Sequence, residues 1–234
     1  MSALMEVRGV TRVYGRGDAT VYALAGIDLD LHEGQFVSLM GPSGSGKSTM
    51  LNVLGCLDLP TEGTYRFDGQ ELTTLDKAGR AQVRRDQMGF VFQGFNLLAR
   101  STAVENVELP LIYRRTPRHL RRERALRALE QVGLADRASH LPSELSGGQQ
   151  QRVAIARALV TEARVLLANE PTGNLDTTTS HEVMSLLAGL NESTGMTILM
   201  VTHEPEMAEY TPRVIHFLDG RIDREENRDA RRTS

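Results

Sequence analysis

Gly41-Pro42-Ser43-Gly44-Ser45-Gly46-Lys47-Ser48 is the stretch on which the fold turns. It follows the apolar run from Phe36 to Met40 and opens a helical pattern that runs from Lys47 towards Leu57. The eight residues fit G-x-x-x-x-G-K-[ST] in the strand-loop-helix setting that gives the pattern meaning. Gly41, Gly44 and Gly46 let the backbone curl so that successive N–H groups point inward, and the following helix contributes its positive end, making a cradle for phosphate. Lys47 is expected to reach the β- and γ-phosphates of ATP. Ser48 is expected to set its hydroxyl on Mg²⁺, with Thr49 beside it in the first helical turn.

Outward from this loop, apolar runs at Ile27–Leu31, Phe36–Met40, Met88–Phe92, Val165–Ala168, Thr197–Val201 and Val214–Leu218 read as strands, several of them buried on both faces. Helical patterns at Arg118–Val132, Gly148–Leu159 and Ser180–Asn191 alternate with them, as in an α/β domain built on a mainly parallel sheet. The first forty residues and the surroundings of Tyr65 look like β-hairpins. Residues 94–147 break the alternation, being helical, arginine-rich and punctuated by Pro110, Pro117 and Pro142. They read as a helical subdomain inserted into one domain over residues 1–222. Arg114, Arg115, Arg118, Arg121, Arg122, Arg124 and Arg127 lie in that insert, either as a solvated helix face or as a surface for anionic lipid headgroups. Residues 223–234 are highly charged and read as a disordered tail.

The chain has 234 residues, a formal net charge of −3 and 40% hydrophobic residues, enough for a substantial core. That charge gives no footprint for nucleic acid, which is therefore not an expected partner. Cys56 is the single cysteine, so an internal disulfide and a cysteine-rich metal site are both excluded, and its apolar neighbours predict a buried thiol. No apolar run approaches the ~18 residues that span a bilayer, and Met1-Ser2-Ala3-Leu4-Met5-Glu6 lacks a signal-peptide pattern. The expectation is a cytoplasmic protein whose membrane-spanning part, if any, comes from a partner.

A second glycine motif, Leu145-Ser146-Gly147-Gly148-Gln149, precedes the helical run Val153–Leu159 and again sets free backbone donors at a helix start. With it the sequence resembles the ATP-binding-cassette ATPases, whose LSGGQ signature it carries, from Tyr14 to about Asp219. The resemblance implies a P-loop NTPase core with an N-terminal antiparallel β subdomain and an inserted helical subdomain. It also implies a homodimer in which each ATP lies between the phosphate loop of one subunit and the signature of the other. By the same resemblance Tyr14 stacks on adenine, Gln93 senses Mg²⁺ and the attacking water, Asp176 in Gly173-Asn174-Leu175-Asp176 lies on a loop across the dimer interface, and His203 contacts the γ-phosphate. Phe95-Asn96-Leu97-Leu98 would lie near the groove that receives a helix of the membrane subunit, or simply pack in the core.

The strand at Val165–Ala168 ends in Asn169 and Glu170, where the family pattern has two acids. The resemblance gives the first position to Mg²⁺ and makes Glu170 the residue that polarises water. Asn169 retains an oxygen but no charge, so weaker metal binding and slower hydrolysis are expected. A substitution that traps a nucleotide-bound state and a natural variant with weakened turnover both fit.

Gly55-Cys56-Leu57-Asp58, Phe92-Gln93-Gly94-Phe95-Asn96-Leu97-Leu98 and Glu105-Asn106-Val107-Glu108-Leu109-Pro110-Leu111 look like the bacterial subgroup of the lipoprotein-releasing and macrolide-export ATPases. That resemblance implies a permease with few spans and a large extracytoplasmic domain, with or without a membrane-fusion protein, at the cytoplasmic side of the inner membrane. A cell-division-type actuator shares the same motifs and stays open. Relatives in DNA repair or on the ribosome carry a long coiled coil or two tandem cassettes, and this chain has neither.

Overall fold

The structure is a computed structural model that describes residues 3–15 and 17–228. Its strands in chain order are β1 (Met5–Tyr14), β2 (Val21–Leu31), β3 (Phe36–Met40), β4 (Glu62–Phe67), β5 (Gln70–Glu71), β6 (Met88–Phe92), β7 (Val165–Asn169), β8 (Thr197–Val201), β9 (Arg213–Leu218) and β10 (Arg221–Asn227). The helices are α1 (Lys47–Leu54), α2 (Lys77–Gln87), α3 (Ala103–Tyr113), α4 (Arg118–Gln131), α5 (Gly147–Leu159), α6 (Thr177–Thr194) and α7 (Pro205–Ala208).

Two sheets result. β2-β1-β4-β5 is antiparallel throughout, and β10-β9-β3-β8-β7-β6 is parallel except at the β10 edge. Side chains alternate across a strand, so each short central strand feeds two cores. Leu166 and Ala168 of β7 and Ile198 and Met200 of β8 join α3, α4, α5 and α6 on one face. Val165, Leu167, Leu199 and Val201 join α1 and the antiparallel sheet on the other. The central sheet is thus clamped between the β subdomain and the helical layer, with the phosphate loop at the carboxyl end of β3. In an open parallel sheet this is the end at which ligands bind.

Several expectations need correction. The helix after the phosphate loop stops at Leu54 because Gly55 caps it and Cys56 takes a left-handed φ of 53°. Cys56 is buried as expected, and burial pushes its thiol up to about 11. Pro110 lies inside α3 rather than ending it; a reciprocal capping box between Thr102 and Glu105 starts that helix. Arg114 then ties its end to the carbonyls of Arg85, Asp86 and Thr161. The supposed tail is ordered as far as Arg228: β10 covers Arg221–Asn227 and pairs with β9, held by Arg213 donating to Glu225 at 2.7 Å. The high charge of this strand suits an edge with solvent on one side. The remainder of the supposed tail, residues 229–234, lies outside the described residues.

Candidate functional site

The phosphate loop needs its glycines for stated reasons. A Cβ on Gly41, whose φ is 148°, would fall 2.2 Å from the Phe217 carbonyl oxygen, and one on Gly46, at φ 103°, 2.4 Å from that of Ala23. Gly46 is also the N-cap of α1 and has no side chain to occupy the first-turn donors. The Lys47 ammonium donates to the carbonyls of Gly41 at 2.8 Å and Pro42 at 2.7 Å. Burial holds its pKa below the ordinary lysine value, with the charge of Glu170 acting in the opposite direction.

β7 delivers Asn169 and Glu170 beside this loop. Glu170 takes a left-handed φ of 47°, a sparsely populated conformation for a residue with a side chain, and its N–H donates to the Val201 carbonyl at 2.9 Å. The turn aims its carboxylate at His203, whose Nδ1 lies 3.2 Å from Glu170 Oε1. Asn169 Oδ1 is buried and has no hydrogen-bond partner in the protein. Such an atom usually marks a place where water or an ion completes the set.

Gln93 closes β6 and forms a reciprocal pair with Asn174. Its Nε2 donates to Asn174 Oδ1 at 3.2 Å, and Asn174 Nδ2 donates to the Gln93 carbonyl at 3.0 Å. Gly173 permits this, since a Cβ there would lie 2.7 Å from Gln93 Nε2. Two further residues support the same link, and the sequence assigned a role to neither. Arg157 of α5, half-buried and with no carboxylate partner among the described residues, donates to the carbonyls of Phe95 at 2.8 Å and Asn96 at 2.5 Å. Both of those residues sit at positive φ. Asn106 of α3 is fully buried; it accepts from Leu98 N at 2.7 Å and donates to the Leu98, Ser101 and Thr102 carbonyls. Leu97 packs against the core while Leu98 is exposed, so the core reading of this segment holds for Leu97 and not for Leu98.

The signature lies apart from the phosphate loop. Ser146 and Gln149 cap α5 reciprocally, and Leu145 is buried. A Cβ on Gly147 would lie 3.2 Å from Leu175 Cδ2, and Gly148 leaves room for Thr179, whose Cγ2 a Cβ would meet at 2.3 Å. Asp176 is the N-cap of α6, accepting from Thr179 N at 3.0 Å and Thr179 Oγ1 at 2.6 Å, and these two donors hold its pKa below the usual carboxylate value. Tyr14 is 42% exposed, with its hydroxyl on Asp58 at 2.8 Å and the Arg12 guanidinium 4.6 Å from its ring centroid.

A cavity of about 850 Å³ brings Gly41, Pro42, Ser43, Gly44, Lys47 and Ser48 together with Glu170 and His203. No signature residue lines it, nor do Tyr14, Ser45, Gly46, Thr49, Gln93, Asn169 or Asp176. His216, Arg224, Glu226 and Arg228, which the motifs did not single out, form its outer wall. No trio of His, Cys, Asp or Glu among the described residues is placed to hold a metal alone. The oxygens available near β7 and the loop are instead a hydroxyl, an amide oxygen without a partner, and one carboxylate. Mg²⁺ suits such a set, since it retains waters and leans on substrate phosphates rather than on an all-protein cage. The residues present therefore fit that ion.

The ABC transporter family pattern matches residues 24–173. An uncharacterized ABC transporter ATP-binding protein of Bacillus subtilis is 53% identical over 219 residues, which is 94% of this chain and 95% of that protein. A macrolide export ATP-binding/permease protein of Paracoccus denitrificans is 52% identical over 94% of this chain, which spans only 33% of that longer protein. Among solved structures, a dimeric bacterial ABC transporter cassette superposes with a TM-score of 0.87 at 48% identity, covering 96% of this chain and 98% of its own. A second structure of that cassette, described as a post-hydrolysis dimer bound to ADP and phosphate, superposes equally well. A match of this breadth, over a phosphate loop, a signature and an acidic strand end already in place, means that the chain belongs to the ABC transporter family and is an ABC-type ATPase.

Proposed function

We propose that the chain is the ATP-driven subunit of a membrane complex and that it works as a homodimer. It would sit on the cytoplasmic side of the bacterial inner membrane and power a permease that exports or extracts an amphiphilic cargo. The observation that carries this is the division of labour within one chain. The phosphate loop shares a cavity with Glu170 and His203, while the signature, with its helix-start donors, is absent from that cavity. Two copies arranged head to tail about a twofold axis bring each signature to the other's phosphates, which is the reading the dimeric relative supports.

Within each site, Lys47 and the loop N–H groups hold the phosphates of ATP, and Tyr14 stacks on its base. Ser48, Gln93 and Asn169 would hold Mg²⁺, which supplies charge neutralisation between the β- and γ-phosphates. Glu170 orients the attacking water and accepts its proton, with His203 beside it steadying both carboxylate and γ-phosphate. The donors at Ser146, Gly147 and Gly148 of the other copy stabilise charge spreading on the transferred group. ATP binds both halves only in the closed dimer and so favours closure, and hydrolysis removes that bias. Asp176, on the loop that also carries the Asn174 contact to Gln93, lies at the junction of the two copies.

Closure would reach the membrane through a groove of about 880 Å³ flanked by α2, β6, α3 and α5. Leu57, Phe90, Phe92 and Tyr113 give it an apolar lining, and Asn96, held by Arg157, links it to Gln93. It suits a short helix of a permease of few spans, as in the macrolide and lipoprotein exporters. Asn169 also favours a second reading, an ATP-gated actuator in which binding and closure matter more than turnover. Glu170→Gln tests the shared core: ATP binding is expected to persist while hydrolysis falls at least 100-fold, and hydrolysis at the parent rate would remove Glu170 from the role of base.

A further inference from the structure

We infer that the corner between α3 and α4 is a contact site for the anionic headgroups of a lipid bilayer. Charge is distributed unevenly along this chain. Residues 77–127 hold twelve Lys and Arg against four Asp and Glu, in a protein whose total is −3. Part of that charge is already engaged: Arg114 donates to three carbonyls, while at the surface Arg127 pairs with Glu123 at 2.8 Å and Arg122 only loosely with Glu108 at 3.5 Å. Arg115 and Arg118 are exposed, and neither has a carboxylate partner among the described residues.

The local helix start adds to this potential. Pro117 caps α4 without a side-chain hydrogen bond, and the first turn contains no acid, so the positive end of the helix is left uncompensated next to Arg118. Apolar side chains accompany the arginines: Tyr113 is 72% exposed, Ile112 46% and Leu126 40%. Arg118, Arg122 and Leu126 follow one another at four-residue steps along one line of α4. Arginine beside tyrosine and aliphatic residues is the composition of a bilayer interface. A long nucleic acid would meet the repulsion of an otherwise acidic protein, and nothing here repeats to follow its backbone.

The patch is continuous with the groove, since Tyr113 lines it. Under the proposed function, a permease docked in that groove turns the patch towards the bilayer. Vesicle binding needs neither permease nor ATP, so the two readings fail separately.

The purified protein is cosedimented with vesicles of phosphatidylcholine and with vesicles of an equal mixture of phosphatidylcholine and phosphatidylglycerol. Binding to the mixed vesicles alone is expected, and replacing Arg115, Arg118 and Arg122 together by Ser should weaken it on the order of 100-fold, with basal ATPase unchanged. Glu123→Gln, which leaves Arg127 without its partner, should strengthen binding roughly fivefold, and it keeps the inference testable if the triple variant does not fold. Equal binding to neutral vesicles, an unaffected triple variant, or tighter binding to RNA than to the anionic vesicles would each overturn it.

Discussion

At Asn169 a neutral amide ends β7 with its oxygen buried and without a partner. A carboxylate there would serve Mg²⁺ better but would be costly to bury with no cation present. Asn169→Asp is therefore expected to act in two directions. The Mg²⁺ concentration for half-maximal hydrolysis should fall roughly 10–100-fold. Stability without metal should fall by about 1–3 kcal/mol, as read by denaturant titration at neutral pH. An unchanged Mg²⁺ requirement would place the cation elsewhere. At this scale the sequence was informative where a residue's role depends on its immediate neighbours. The loop from Gly41 to Ser48 announces itself through spacing alone, and the departure at Asn169 is visible without coordinates. Arg157 was silent because its partner lies 62 residues away, and Asn106 and Asn174, though inside stretches that resemble the family, gave no sign of their bonds to partners 8 and 81 residues away.

Among the elements, the signature helix and its neighbour show how a motif glycine serves packing as well as ligand approach. Gly148 on α5 faces Thr179 on α6, and Asp176 fixes Thr179 by accepting from both its N–H and its hydroxyl. Gly148→Ala is expected to destabilise the protein by about 1–3 kcal/mol through overpacking. Thr179→Ser removes the clashing methyl and keeps the bond to Asp176, so adding it should recover most of that loss. Additive effects in such a double-mutant cycle would mean that the two helices do not meet there. The short strands were legible because uninterrupted apolar runs leave few alternatives. α2 was not, because it buries no residue completely and so offers no apolar face to read. α3 was obscured by Pro110, and β10 by a charge density that resembles a disordered tail until β9 supplies its ladder.

Taken whole, the molecule carries the phosphate loop and the signature at separate places. The central sheet carries the phosphate loop and Glu170 at its carboxyl end, and the helical layer holds the signature beyond reach of that cavity. On the proposed reading, a single copy would hold ATP by its phosphates without completing the surroundings of the γ-phosphate. The account therefore predicts an assembly as well as an activity. The most direct measurement is the mass and nucleotide content of Glu170→Gln with Mg²⁺ and ATP by sedimentation velocity. A species of about twice 25.9 kDa with two bound ATP, absent with ADP and lost when Ser146→Arg is added, is the predicted result. A monomer that binds ATP without associating, or a dimer indifferent to Ser146→Arg, would contradict it.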